Sequence, residues 1–283
     1  MGRWQGESDK LPTHRRGIRI GNPRSLSVSQ LNTYTKCPQA WHLERQRKAW
    51  QRPAAWLAQG TAAHAAYEAY ERSGRTLTLE ELEEIYRTVY AEEIAKYSKE
   101  TPNHNWWFAS GPYSGPVDIE RRFKIGLEQV AKYPVWYDKH PEEVIWVAPD
   151  GTPGIELGFD FDLDGVRIRG FIDALIWDRR YNRIVVRDNK TGKSPGGDMQ
   201  LGVYAVAVEE TYDVEKPNTG DYWMATSGSP TKPYDLSDWN RDRLVNEFHQ
   251  LAEDIAAEKF DPKPEDSKCK FCSVATSCPI FLG

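Results

Sequence analysis

Two sets of residues in this chain carry chemistry, and they do not overlap. The first is Cys37, in CPQAW, together with Cys269, Cys272 and Cys278, in CKFCSVATSCP at the other end. No further cysteine occurs among the 283 residues. Four thiolates complete the coordination sphere of an iron–sulfur cluster or a zinc ion. Zinc frames usually come as two C-x2-C pairs, whereas here one pair stands with two single cysteines, which favours a [4Fe–4S] cluster and leaves zinc as the rival. Either would fasten the C-terminal tail to the N-terminal helix. The second set is acidic and lies between the cysteines, in GIELGFDFDL, VRIRGFIDALIWD and RIVVRDNK.

These three stretches alternate with period two and read as strands. Asp164-Gly165 between the first two is a two-residue hairpin signal. It sets Leu163 opposite Val166, Phe161 opposite Ile168 and Leu157 opposite Ile172, an apolar face for a core. The other face pairs Asp162 with Arg167 and Asp160 with Arg169 as opposite charges. At its far end Glu156 meets Asp173. Pairing Asp178 with Arg183 across the next turn puts Asp173 opposite Asp188, with Lys190 two residues on and on the same face. Glu156, Asp173, Asp188 and Lys190 thus gather on neighbouring strands. Carboxylates so placed repel unless a cation lies between them, and hard oxygen ligands suit Mg²⁺ or Mn²⁺. The bland alternative is a solvated sheet face. It accounts for Asp160 and Asp162, which have arginine partners, but not for Asp173 and Asp188, which follow apolar runs.

The elements that must hold this cluster read as follows. Residues 27–48 are expected to be helical, with Ser27 and Gln30 as a capping box. Residues 56–72, 78–98 and 116–138 are also read as helices, with a loop at 101–114. From about residue 143 the period changes to that of strands, beginning with EVIWVAP. Helices follow at 197–211 and 237–258, with a short strand in DYWMAT between them, and a loop carries the last three cysteines. One α/β domain over 25–283 results. Its helical part is 25–142, its sheet core 143–235, and its C-terminal helix and cysteine tail 236–283.

Composition sets limits. The net charge is −5, so there is no global attraction to nucleic acid, and local distribution matters more. Residues 1–24 hold six basic against two acidic side chains, which suits a phosphate-binding arm or simply a solvated start. Mean hydropathy is −0.70 and no apolar run reaches membrane-spanning length. The N-terminus lacks the apolar stretch of a signal peptide. A cytoplasmic, reducing setting is therefore expected, where cysteines bind metal more often than they pair.

The acidic set resembles a known signature. GFID with Asp173, then Asp188-Asn189-Lys190-Thr191-Gly192, is similar to the motif of PD-(D/E)XK nucleases. Gln200-Leu-Gly-Val-Tyr204 resembles the Q-x-x-x-Y motif of the RecB/AddB branch, and His64 in GTAAHAAYE falls where that branch carries a helix histidine. One cysteine before this core and C-x2-C-x5-C after it resemble the iron–sulfur type, including the CRISPR-associated exonuclease. Asn189 departs from the usual apolar residue, at a position expected to point away from the metal. The resemblance implies a restriction-endonuclease-like mixed sheet flanked by helices, and hydrolysis of DNA with Asp173 and Asp188 holding Mg²⁺ or Mn²⁺. Glu156 and His64 would be further ligands or neighbours of the ion. Lys190 would orient the nucleophile or stabilise charge, while Gln200 and Tyr204 position the lysine or the DNA. It further implies DNA ends as substrate, recombination, repair or CRISPR adaptation as setting, proteins of those processes as partners, and a homo-oligomer as one assembly state. Gly196-Gly197 would let a phosphate approach the following helix. No G-x-x-x-x-G-K-[ST] is present, so no helicase is fused to it. The competing reading is a nucleic-acid-binding adaptor with a degenerate site, against which the intact Asp173, Asp188 and Lys190 argue. A purely structural metal protein would leave the carboxylates unexplained.

Overall fold

The computed structural model describes residues 25–281. Its first half is helical: α1 (Val28–Lys36), α2 (Pro38–Trp41), a π-helical turn (His42–Gln46), α3 (Ala55–Arg72), α4 (Leu79–Glu100) and α5 (Gly115–Lys139). The helix expected over 27–48 is divided. Cys37 adopts an extended conformation, φ −163°, because the ring of the following Pro38 disfavours helical backbone before it. Ser27 accepts from the Gln30 amide, but Gln30 reaches the Ser25 carbonyl instead of closing the box. Thr78 and Glu81 do form a complete capping box at the start of α4.

The sheet comprises β1 (Glu143–Ile145), β2 (Ile155–Leu163), β3 (Val166–Asp178), β4 (Arg183–Lys190), β5 (Thr219–Met224), β6 (Ser229–Pro230) and β7 (Tyr234–Asp235). β3 is its spine. Its first half pairs with β2, and its second half pairs with β1 and β4, all antiparallel. β4 and β5 are parallel, joined through α6 (Asp198–Tyr212), as a parallel pair requires a crossover. Both central residues of the β2–β3 turn have positive φ, 51° at Asp164 and 95° at Gly165, the geometry that a two-residue hairpin of matching twist demands. The pairs Leu163–Val166, Phe161–Ile168, Leu157–Ile172 and Asp178–Arg183 occur as read from the pattern. The charges on the outer face differ. Arg167 grips Asp160 diagonally with two bonds of 2.6 and 2.7 Å, while Asp162 accepts from the turn amide of Gly165.

α6, α7 (Arg241–Ala256) and α1 cover one side of the sheet with a core containing Leu157, Ile172, Leu175, Val186, Leu201 and Phe248. α3, α4 and α5 form a second core that meets the sheet at Trp223. Gly202 is required by close approach, since a Cβ there would lie 2.1 Å from the Trp239 ring. α7 begins at Arg241, capped by Asn240, rather than at 237. The strand at EVIWVAP stops at Ile145, with only a bridge from Val147 to Pro153. The tail holds α8 (Asp266–Cys269) and a 3-10 turn at Ala275–Ser277 in place of a plain loop. Residues 1–24, the basic arm, lie outside the described residues. Among the described residues no helix is long and apolar enough to cross a membrane.

Candidate metal-dependent active site

The acidic cluster assembles where β3 and β4 run beside α3 and α6. Beyond the Ala174–Arg187 pair the β3–β4 ladder ends, and Asp173 takes its place by accepting the Asn189 amide at 2.7 Å. Glu156 lies between the Leu157–Ile172 and Ile155–Ala174 pairs, with φ +43°. A non-glycine residue in that region costs of order 1 kcal/mol and persists where its surroundings hold it. The α3 histidine meets both carboxylates: His64 Nδ1 is 3.5 Å from Asp173 and 4.0 Å from Glu156. Donor atoms of His64, Glu156 and Asp173 all lie within 4.8 Å of one another.

The tautomer of His64 follows from its neighbours. Nε2 lies 2.9 Å from the Asn189 carbonyl, which can only accept, so Nε2 carries a proton. In neutral imidazole Nδ1 is then a lone pair facing two carboxylates. Three acceptors converge, and only a proton or a cation reconciles them. Titration reflects this crowding. Burial, then the charge of Asp173, raises Glu156 to about 7 against the pull of His64. Burial raises Asp173 to about 6, with Asp188 adding to the rise and His64 opposing it. Burial likewise raises Asp188. For His64, burial would lower the pKa, but the three carboxylates outweigh it and raise it.

Asp188 and Lys190 are joined to α6. Gln200 donates to Asp188 Oδ1 at 2.6 Å and to the Tyr204 hydroxyl at 2.9 Å, and its oxygen accepts from Lys190 Nζ at 3.2 Å. Lys190 Nζ also lies 2.7 Å from Asp188 Oδ2, an ion-pair contact. That ammonium is the partner of buried Oδ2, which takes no further hydrogen bond. Burial, then the charges of Asp188 and Asp173, raises the Tyr204 phenol well above its ordinary value, so it stays neutral. Two crowded carboxylates and an imidazole lone pair, with the Asp188 carboxylate nearby, form an oxygen-rich donor set that fits Mg²⁺ or Mn²⁺. His64, Glu156 and Asp173 are close enough together to share such an ion, and Asp188 lies outside that group of three.

A family model for the PD-(D/E)XK nuclease superfamily matches residues 25–279. The chain belongs to this superfamily. Its curved mixed sheet with flanking helices is the restriction-endonuclease-like PD-(D/E)XK fold. Among its relatives are the Gene 69 protein of Mycobacterium phage D29, 54% identical over 262 residues, and the Gene 69 protein of Mycobacterium phage L5, 50% identical over 281 residues. Each alignment covers 90% of this chain and 96% of the relative. The crystal structure of SSO0001 aligns over 68% of this chain and 82% of its own at 17% identity, with a TM-score of 0.33.

The PD-(D/E)XK motif residues are supported by side chains that the motif does not announce. Gln129 on α5 donates to the Thr191 carbonyl at 3.0 Å and is itself held by buried Gln59 on α3 at 2.6 Å. On the opposite sheet face, Arg187 makes two 2.7 Å bonds to Asp221 and others to Glu143 and Tyr137. An arginine inside the apolar run RIVVRD was a visible signal of such a partner set. Gln59 and Gln129 left none. Asn189 is buried and shares the Arg187 face, away from the carboxylates as expected, but its backbone amide and carbonyl hold Asp173 and His64. Gly196 is explained by packing, since a Cβ would lie 2.3 Å from the Tyr222 hydroxyl. Gly197 meets nothing and remains open to a ligand.

The structure draws the four cysteines to one place without packing their sulfurs closely. Cys37, Cys269, Cys272 and Cys278 are free and partly buried, and all four line one cavity of about 30 Å³. Among the described residues, however, no three of their sulfurs lie within 4.8 Å of one another. A compact set of sulfurs around one ion is therefore not formed. The tail is held instead by hydrogen bonds: the Arg52 amide to the Ser273 carbonyl, Ser273 to Glu44, Lys263 to the Thr35 carbonyl and Tyr34 to the Lys259 carbonyl. Val274 is buried and Phe260 stacks on Trp41 and His42, so apolar packing also holds the tail.

Proposed function

We propose that this chain is a divalent-metal-dependent deoxyribonuclease that degrades DNA from ends, with single-stranded ends preferred. The observation that carries the reading is the convergence of His64 Nδ1, Glu156 and Asp173 on one another, beside Asp188 with its Lys190 ammonium. A bound Mg²⁺ or Mn²⁺ supplies an acidified water and charge neutralisation at the phosphate. Lys190 would orient the attacking water or offset the developing phosphate charge. Gln200 fixes Lys190 and Asp188 against each other, and Tyr204, a neutral phenol, fixes Gln200. The Asn189 backbone keeps Asp173 and His64 in place.

The same proposal gives the four cysteines a [4Fe–4S] cluster. Their spacing in sequence and their shared cavity support it. Sulfurs about 2.3 Å from one zinc ion lie about 3.8 Å apart, closer than any three of these lie; a cluster of four irons takes a wider set. Relatives in two mycobacteriophages favour recombination or repair of DNA over CRISPR adaptation as the setting.

The test is digestion of end-labelled linear and circular DNA, single- and double-stranded, by anaerobically purified protein with Mg²⁺ or Mn²⁺. Lys190→Ala and Asp188→Ala run beside the parent. Degradation of linear DNA lost in both variants is expected. Equal cutting of circles would overturn the exonuclease reading. Binding without cutting of any DNA would move the chain to the adaptor class. A colourless protein with stoichiometric zinc would sink the cluster.

A further inference from the structure

Beside the metal-site residues, the outer face of the β2–β3 hairpin carries an open groove of about 870 Å³. Gly158 and Phe171 face each other across the hairpin, each two residues further along its strand from Glu156 and Asp173, about 7 Å at the rise of a strand. The Phe171 ring lies over Gly158, 3.4 Å from where a Cβ would stand, and is 64% exposed. An exposed aromatic ring of this size next to a polar centre has no role in the fold's cores. The groove continues past Arg169 to Arg45, beside Leu26, which pairs with β3 at Ile168, and buried Thr211 Oγ1, which has no hydrogen-bond partner, belongs to a residue of its lining. Arg45 and Arg169 are exposed, and among the described residues neither has a carboxylate within 4.0 Å. Asp160, the acid of the groove, is already taken by Arg167.

We propose that this groove holds the strand of DNA that reaches the carboxylates, with Phe171 stacking on a base next to the scissile phosphate and Arg169 and Arg45 contacting phosphates. This rests on the nuclease reading and specifies its substrate. A ring can stack only on a base whose face is free, and bases inside a duplex already have both faces covered. The occupant is therefore a single strand. Two arginines beside one ring match the alternation of charged backbone and flat base. A ring placed only to shield the backbone at Gly158 would need no such neighbours.

The test is the anisotropy of a fluorescent oligothymidylate in Ca²⁺, followed by steady-state cleavage in Mn²⁺. Phe171→Ala should weaken binding about tenfold, the order of one base–aromatic contact, and raise KM with little change in kcat. Phe171→Trp should keep the parental affinity, whereas Phe171→Leu, which still covers Gly158, should behave like Ala. Arg169→Glu should weaken binding and reduce its salt dependence. Melting temperatures of these variants should match the parent, since the side chains are exposed. Parental affinity in Phe171→Ala, equal affinity in the Leu and Trp variants, or binding of blunt duplex alone would each overturn the groove. If the parent cuts DNA while Phe171→Ala and Arg169→Glu bind like it, the groove fails and the nuclease reading stands. If the parent binds the oligonucleotide through Phe171 but cuts nothing, the groove stands and the nuclease reading fails.

Discussion

The carboxylate site and the cysteine cavity are both sets of potential metal ligands, yet they differ in how far the chain alone assembles them. Asp173, Asp188, Glu156 and Lys190 sit on paired strands, where register decides which side chains meet, and Gln200, His64 and the Asn189 backbone then lock them by hydrogen bonds. The four cysteines sit on an N-terminal helix junction and on short C-terminal turns that converge on one cavity without closing it. Ligands on a sheet are preorganised and carry their electrostatic strain before any ion arrives. Ligands on a tail acquire their geometry from what they bind.

Breaking the first site should abolish chemistry and spare the fold. Asp188→Asn is expected to remove metal-dependent cleavage, and Lys190→Ala to lower it by about 100- to 1000-fold. The melting temperature should hold in Asp188→Asn, which relieves the crowding with Asp173, and fall in Lys190→Ala, which leaves buried Asp188 without its ammonium. A loss of fold in Asp188→Asn would show the site to be structural. Breaking the second region should do the reverse. Under the proposed cluster, Cys37→Ser should lower the melting temperature by roughly 10 °C, the order given by a few kcal/mol of lost binding in a chain of this size. An unchanged melting curve would leave the tail to its hydrogen bonds and apolar packing alone.

Smaller effects sharpen the contrast. Gln200→Ala should cut the rate by about 10- to 100-fold, as loss of a group that orients first ligands does. A rate equal to the parent would show that Lys190 needs no support from α6. The pH dependence is smaller still. The folded pKa of Glu156, about 7, lies above its ordinary 4.5, so its contribution to stability is full below pH 4.5 and is lost as pH rises through 7. Asp173, raised to about 6, acts in the same direction. In EDTA the melting temperature should therefore fall between pH 5 and 8 by more in the parent than in Glu156→Gln, and Mn²⁺ should restore the parent most at pH 8. Parallel melting curves for the two proteins would show that Glu156 is not crowded as described.

Much of this was legible in the residues. Asp164-Gly165 and the alternation around it specify the hairpin register, because a slip of one residue would turn the apolar face outward. That register carries Glu156 to Asp173, and the pairing of Asp178 with Arg183 carries Asp173 to Asp188. The diagonal grip of Arg167 on Asp160 was not legible, since register fixes neighbours but a long side chain chooses among them. At Cys37 the sequence showed Pro38 starting a second turn, but not that the backbone there is extended.

By itself, then, the sequence determined the strands, their register as far as the Ala174–Arg187 pair and the closeness of Asp188 and Lys190, because those are local consequences of period and turn chemistry. Only the tertiary structure decided the tautomer of His64, the Gln200 bridge, the Gln59–Gln129 support and the positions of the four sulfurs. Each of these depends on how separate elements pack, with His64 on α3 lying 125 residues from the Asn189 carbonyl it meets. No period or motif within one segment encodes a contact of that range.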